Sequence, residues 1–260
     1  MKKNSKNDRG ADSHMMKKLR RILYQPYKWL ILSPVFVVTT IFFGGLAVVL
    51  SSFLKPRISS YLCGATWARI NAGITPMFVR VTGRRFIDKH QSYVVISNHQ
   101  SQYDIFVLYG WLGIDFKWVM KIELRRIPFI GVSCEKLGHI FIDRSDRAAA
   151  IQTINAAKKR IVDGTSILFF PEGTRSRSGH LGPFKKGAFK MALDLGLPIL
   201  PITIRGTRSI LPPDTLDIFP GRADLIIHPP VDTREYHEEN LDILVEKVRD
   251  IVKAPLAKSL

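Results

Sequence analysis

Acidic residues are missing from the whole of residues 13–87, and cysteine is almost missing from the chain, with only Cys63 and Cys134, far apart and in no C-x-x-C. Two such cysteines exclude a disulfide scaffold, and 260 residues suffice to bury a sizeable core without one. They read as reduced, partly buried thiols of a cytosol-facing protein. No Cys/His zinc spacing is present and Asp143 has no companions in sequence, so neither metal nor cofactor is expected. A G-x-S-x-G elbow is absent too, which removes the usual covalent serine. No aromatic-rich ribonucleoprotein signature and no heptad-backed basic helix occur, so no specific nucleic-acid partner is expected. What the chain has in excess is positive charge: 39 Lys plus Arg against 22 Asp plus Glu, a net +17 that asks for an anionic partner.

Charge of either sign is absent from residues 29–54, a run of 26. As a helix it would extend roughly 39 Å, long enough for a bilayer core, and no small-x-small cleavage site follows it as a signal peptide would require. Lys17, Lys18, Arg20, Arg21 and Lys28 precede the run, and Lys55, Arg57, Arg69, Arg80, Arg84 and Arg85 follow it. Both flanks therefore ask for the cytoplasmic side, which one complete crossing would violate. The expectation is a helical hairpin or a tilted helix dipping into one leaflet of the inner (cytoplasmic) membrane. Pro34 or the Gly44-Gly45 pair supplies the bend, the basic flanks rest on anionic phospholipid headgroups, and the globular domain faces the cytoplasm. Tyr61, Leu62, Trp67 and Ile70 suit a further interfacial helix, with Tyr61 and Trp67 either at the headgroups or in the core. Three regions follow: a polar tail at 1–16 expected to be disordered, membrane-anchoring helices at 17–78, and a globular domain at 79–260.

In the globular part short apolar runs alternate with helical periodicity. Val79 and Val81, then residues 93–97, 117–121, 140–142, 167–170, 199–204 and 223–228, read as strands. Helices are expected at Ile105, Phe106, Leu108 and Tyr109, and at Ala150, Ile154, Ala157 and Ile161 behind a Ser145 cap. Two more fall at Ala188, Met191, Ala192 and Leu195, and at Leu241, Leu244, Val245, Val248 and Val252, the last ending before Pro255. Residues 123–131 read as a turn and short helix beneath the site. The alternation predicts an α/β fold, a mostly parallel sheet flanked by helices behind an N-terminal helical membrane anchor.

His99 and Asp104 stand where the apolar run at 93–96 meets a helix. If that helix starts near Gln100, the Asp104 carboxylate returns beneath the imidazole, accepts the Nδ1 proton and leaves Nε2 as a general base. Ser101 is a candidate cap. A capped turn whose histidine only hydrogen-bonds has the same spacing, and this pair alone does not separate the two readings.

The pair belongs to Asn98-His99-Gln100-Ser101-Gln102-Tyr103-Asp104. Three further blocks follow in order: Gly138-His139-Ile140-Phe141-Ile142-Asp143-Arg144, Phe170-Pro171-Glu172-Gly173-Thr174-Arg175-Ser176 and Leu197-Pro198-Ile199-Leu200-Pro201. Over roughly residues 90–205 the chain resembles the glycerophospholipid acyltransferase family, and within it the 1-acylglycerol-3-phosphate acyltransferases. The resemblance implies a catalytic dyad at His99 and Asp104. It implies binding of the acceptor's glycerol phosphate by Arg144, Glu172, Gly173, Thr174, Arg175 and Ser176, and an acyl-donor role for Pro201.

The residues allow the same chemistry. A thioester is already activated, so transfer to an alcohol needs a base, oxyanion stabilisation and placement. A glycine-containing turn with a hydroxyl and a guanidinium can bind phosphate, although Arg175 paired with Glu172 on the surface is the plain alternative. Lys121, at a strand end, is a candidate phosphate ligand or a solvated lysine. Lys185, Lys186 and Lys190 form a basic rim, and His139 reads as structural. The expected substrates are lysophosphatidate and an acyl donor, acyl-CoA or acyl carrier protein, giving phosphatidate. The alternatives are acylation of another lysolipid such as lyso-ornithine lipid, or a non-catalytic lipid-binding membrane protein.

Overall fold

The computed structural model describes residues 22–143, 145–161 and 163–257, so the tail at 1–16 and Arg144 lie outside the described residues. Helix α1, Ile22–Leu50, is unbroken. It does not bend where expected. A π-helical turn at Lys28–Leu32 precedes Pro34, with the Ser33 amide reaching the Lys28 carbonyl, and the helix runs on. Gly44 serves packing instead: a Cβ there would sit 3.2 Å from the Phe129 carbonyl oxygen. The chain turns only at residues 51–55 and returns as α2, residues 56–74, through Pro56–Ser59, a π-helical stretch Ser60–Ala65 and Thr66–Ile74. The hairpin closes where Tyr27 donates to the Ile74 carbonyl at 2.6 Å.

Several of the flanking cations are held by groups of the protein itself. Lys28 is buried and donates to the Leu216 carbonyl at 2.9 Å, Arg69 donates to that of Gly110 at 2.8 Å, and Arg80 pairs with Asp224 at 3.0 Å. Trp67 is a core residue, its ring 5.1 Å from Phe106 and 6.0 Å from Phe36, whereas Tyr61 is exposed.

The strands are β1 Met77–Thr82, β2 Val94–Ser97, β3 Asp115–Lys121, β4 Ile140–Ile142, β5 Thr165–Phe169, β6 Ile199–Arg205 and β7 Gly221–Ile227. They form one sheet in the order β1-β7-β6-β2-β5-β3-β4, parallel throughout except at β6 and β7. Strands β2, β5 and β6 are apolar on both faces because both faces are covered. On one face Val95, Leu168 and Leu200 pack beneath α3, Tyr103–Trp111, and beneath Ala68 and Ala72 of α2. On the other, Val94, Ile96 and Ile167 meet α6, Gly187–Leu195, and α7, Leu241–Ala257. Helix α4, Ile130–Lys136, packs beside α1, and α5, Arg147–Ala157, follows β4. Its cap is Asp146, accepting from the Ala149 amide at 2.9 Å, in place of Ser145. Helix α7 continues through Pro255, whose carbonyl accepts from Arg205 at 3.2 Å.

Adjacent strands β2 and β5 thus send their following helices, α3 and α6, to opposite faces. Loops that part in this way leave a crevice at the carboxyl ends of the strands, the usual place for a site in such a sheet.

Candidate active site

Strand β2 ends at Ser97 and delivers Asn98 and His99 into that crevice. Asn98 is fully buried and clamps the neighbouring strand, donating to the Ile204 carbonyl at 2.9 Å and accepting the Ile204 amide at 2.8 Å. His99 Nδ1 lies 2.8 Å from Asp104 Oδ2. Helix α3 starts at Tyr103, later than expected, yet Asp104 in its first turn still reaches back. Oδ2 also accepts the amides of Gln100 and Ser101, at 2.7 and 2.9 Å, while Oδ1 accepts the Thr207 hydroxyl at 2.5 Å. A wholly buried carboxylate holding four donors fits an anion kept in one orientation. Such an acceptor fixes the proton on Nδ1, and Nε2 has no protein partner among the described residues. The His99 ring stacks on Phe170, centroids 3.9 Å apart, and Phe170 stacks on Trp118. The cap position of α3 is Gln102, which makes no side-chain cap bond, in place of the expected Ser101; the Ser101 hydroxyl, one residue earlier, accepts the Tyr103 amide at 3.1 Å and donates to the Leu211 carbonyl.

Strand β5 runs into Phe170 and the turn at 171–176. That turn is tied to the histidine on both sides: Glu172 accepts the His99 amide at 2.9 Å, and the Ser176 amide donates to the His99 carbonyl at 2.9 Å. The second Glu172 oxygen accepts the Gly182 amide, so both oxygens are spent on holding the two loops together. Burial pushes the Glu172 carboxyl up from the ordinary range, and the two amides and His99 pull against it. Ser176 likewise braces its loop, donating to the His180 carbonyl and accepting the Gly179 amide. Gly173 has φ +78, a conformation that favours glycine, whereas a Cβ there would meet only the movable end of the Lys185 side chain.

Arg175 does not pair with Glu172; its nearest carboxylate is Asp214, at 3.5 Å, which Arg177 holds more closely at 2.8 Å. Thr174 is exposed beside it. Arg208 stiffens the rim by donating to the carbonyls of Arg177 and Ser178. Of the other expected cations, Lys186 and Lys190 pair with Asp242 and Glu238, and Lys121 is exposed and paired with Glu123 at 2.7 Å.

The family model described as Acyltransferase matches residues 78–205. A 1-acyl-sn-glycerol-3-phosphate acyltransferase of Chlamydomonas reinhardtii is 31% identical over 253 residues, 95% of this chain and 72% of that protein. The chain belongs to the acyltransferase family. The chloroplastic 1-acyl-sn-glycerol-3-phosphate acyltransferase LPAT1 of Arabidopsis thaliana is 38% identical over 60% of this chain, which spans 42% of that longer protein. The crystal structure of the 1-acyl-sn-glycerophosphate (LPA) acyltransferase PlsC of Thermotoga maritima superposes with a TM-score of 0.77 at 29% identity. The match covers 93% of this chain and 96% of that one.

Within this acyltransferase, Pro201 lies off the sheet's edge. It is buried in β6, an inner strand, paired with Ile96. Its carbonyl accepts the His228 amide at 3.1 Å, so its missing N–H faces the side where β7 has just ended, which is where a strand tolerates proline. His139 is buried and structural: it accepts the Trp118 amide at Nδ1 and bonds the Tyr109 hydroxyl at Nε2, 2.6 Å away. Burial, aided by Lys117, pulls it down to about 3. Among the described residues no group of three metal ligands gathers. Reading the residues in order assigned no role to Thr207, which lies 103 positions from the carboxylate it holds. Phe170 was legible only as a member of its block.

Proposed function

We propose that this acyltransferase moves a fatty acyl group from acyl-CoA or acyl carrier protein to the sn-2 hydroxyl of 1-acylglycerol-3-phosphate, giving phosphatidate. The observation that carries the proposal is the joining of two loops. A histidine oriented by a buried carboxylate is hydrogen-bonded, through its own amide and carbonyl, to the turn that bears Arg175.

In this reading His99 Nε2 takes the proton of the sn-2 hydroxyl as its oxygen attacks the thioester carbonyl carbon. Asp104 steadies the imidazolium. The tetrahedral intermediate collapses with cleavage of the C–S bond, and the proton passes from His99 to the departing sulfur, leaving an ester and a thiol. The acceptor's phosphate replaces Asp214 as the partner of Arg175, since a dianion outcompetes a carboxylate held at 3.5 Å. Thr174, Gly173, Arg144 and Lys121 complete the phosphate cradle, with Glu172 and Ser176 fixing its shape. Pro201 would act on the donor only through the form of β6.

Helix α1 supports a one-leaflet anchor on the cytoplasmic face of the inner membrane. From Tyr27 to Ala47 one side of it packs on the domain, Tyr27 on Ile74, Phe36 on Trp67, Thr39 on Asn71, Gly44 on Phe129 and Ala47 beside Cys63 and Leu137, while Val37, Val38, Ile41, Phe42 and Val49 face outward. A helix fastened lengthwise to its own domain lies in the interface rather than across it. Cysteines introduced near residues 20 and 60 should both stay shielded from the periplasm; exposure of one alone overturns this topology.

The decisive experiment gives the purified full chain mixed lysolipids with an acyl-CoA and reads products by mass spectrometry. Phosphatidate should dominate. His99→Ala should keep its fold and lose about 10²- to 10⁴-fold in rate, and Arg175→Ala should chiefly raise KM for the phosphate-bearing acceptor. A folded His99→Ala enzyme of full activity would overturn the mechanism. Undiminished use of lysophosphatidate by Arg175→Ala would overturn the acceptor.

A further inference from the structure

Between β3 and α4 lies a segment with no role in the chemistry above. Residues 122–126 form a 3-10 stretch; the loop that follows presents Ile127 and Phe129 outward and the first turn of α4 presents Val132, 40%, 46% and 52% exposed. The loop is rigidly built. The Gly131 amide donates to the Ile127 carbonyl, Arg125 forks onto Glu135 at 2.6 and 3.2 Å, and a Cβ on Gly131 would strike the Arg125 carbonyl oxygen at 2.0 Å. At its tip Phe129 has φ +62, a conformation that costs a large L residue of order 1–3 kcal/mol and that glycine adopts freely. A strained phenylalanine that turns half its surface outward gains little for the core.

We infer that Ile127, Phe129 and Val132 form a second membrane-inserting surface that docks the enzyme on an anionic bilayer beside the active-site crevice. This rests on the reading of α1 as a membrane anchor. Phe129 touches Gly44, one helical turn from the outward Ile41, so the two apolar surfaces are continuous. The rim has the right sign: over residues 121–136 Glu135 is taken by Arg125 and Glu123 by Lys121, which leaves Arg126 and Lys136 as uncompensated positive charges among the described residues. The segment also leaves the carboxyl end of β3, the same edge of the sheet from which β2 and β5 deliver His99 and Phe170. Apolar contact there holds the crevice mouth at the leaflet surface, where a lysolipid's headgroup and tail part.

The test places a thiol-reactive environment-sensitive fluorophore on the full chain at Val132→Cys or, separately, at Val38→Cys on α1. Burial raises the pKa of both native thiols, Cys63 and Cys134, which slows their labelling. The proteins are mixed with phosphatidylglycerol vesicles with and without nitroxide-labelled acyl chains. Blue-shifted, nitroxide-quenched emission from both positions is expected. Quenching at 38 but not at 132 overturns this inference and leaves the anchor standing; quenching at neither overturns both. A shift at 132 that grows with protein concentration and needs no vesicles makes the surface a self-association face, which also overturns it. The double variant Ile127→Ser, Val132→Ser should lose activity on vesicle-embedded lysolipid while keeping it on a short-chain, water-soluble one. Equal loss on both would show a structural role only and overturn the docking.

Discussion

Replacing Thr207 by valine removes one hydroxyl and little else, at a position with no exposed surface. That hydroxyl donates to Asp104 Oδ1 at 2.5 Å, while Oδ2 keeps His99 and two backbone amides. Losing a hydrogen bond to a buried charged group costs about 1.5–3 kcal/mol, because the oxygen left behind finds no water. The folded state should therefore lose that much. If the whole amount were felt only when the imidazolium forms, the rate would fall roughly 10- to 150-fold, since each 1.36 kcal/mol is tenfold. Three donors still orient the carboxylate, so we expect the lower end, about tenfold in kcat. KM should hold, because Thr207 is buried behind Asp104 and not on the side of Nε2. Thr207→Ser restores the hydroxyl and should restore kcat. The assay is thermal melting beside steady-state acyl transfer. A valine variant that loses stability and keeps kcat would show that this contact braces the fold without governing the dyad.

Glu172→Gln should lower the melting temperature by the cost of about 1–3 kcal/mol, since an amide group presents N–H to one of the two backbone amides that the carboxylate accepts. It should raise KM for the phosphate-bearing acceptor by loosening the turn. His139, held neutral by burial, draws a sign from linkage: below about pH 6.5 the unfolded chain takes up a proton that the folded protein refuses until about 3, so stability falls with acidification. The loss has a ceiling of about 5 kcal/mol, and His139→Asn should flatten the acid limb of melting temperature against pH. Gly64→Ala would put a Cβ 2.5 Å from the Tyr109 ring and should destabilise by about 1–3 kcal/mol, whereas Gly73→Ala, with open space on the same helix, should be neutral or stabilising.

The strands and helices of the domain were legible because both faces of the central sheet are covered, which writes them as apolar runs such as 94–97 and 199–204. The dyad was legible because its two members are near neighbours in sequence. What escaped depends on contacts between distant segments. Nothing near Thr207 announces that it will face Asp104. Pro201 is a strand breaker by composition, and only the end of β7 beside it explains an inner strand that tolerates it. The bend of the hairpin escaped for a similar reason, since glycine signals a bend and a close approach equally well, and Phe129 decides for the second.

The same contacts join the N-terminal hairpin to the site. Helix α2 buries Ala68 and Ala72 in the core shared with Val95 and Leu200, so the hairpin is a layer of the domain. Both of its helices press on α3: Phe36 and Trp67 meet Phe106, and Thr75, just past α2, bonds the Tyr103 hydroxyl at 2.7 Å. Tyr103 and Phe106 flank Asp104 on that helix. The carboxylate that orients His99 is therefore carried on an element braced from outside by the hairpin. Removing residues 22–74 would uncover that face of the core and release α3, so a truncated, soluble acyltransferase domain should not retain an oriented dyad.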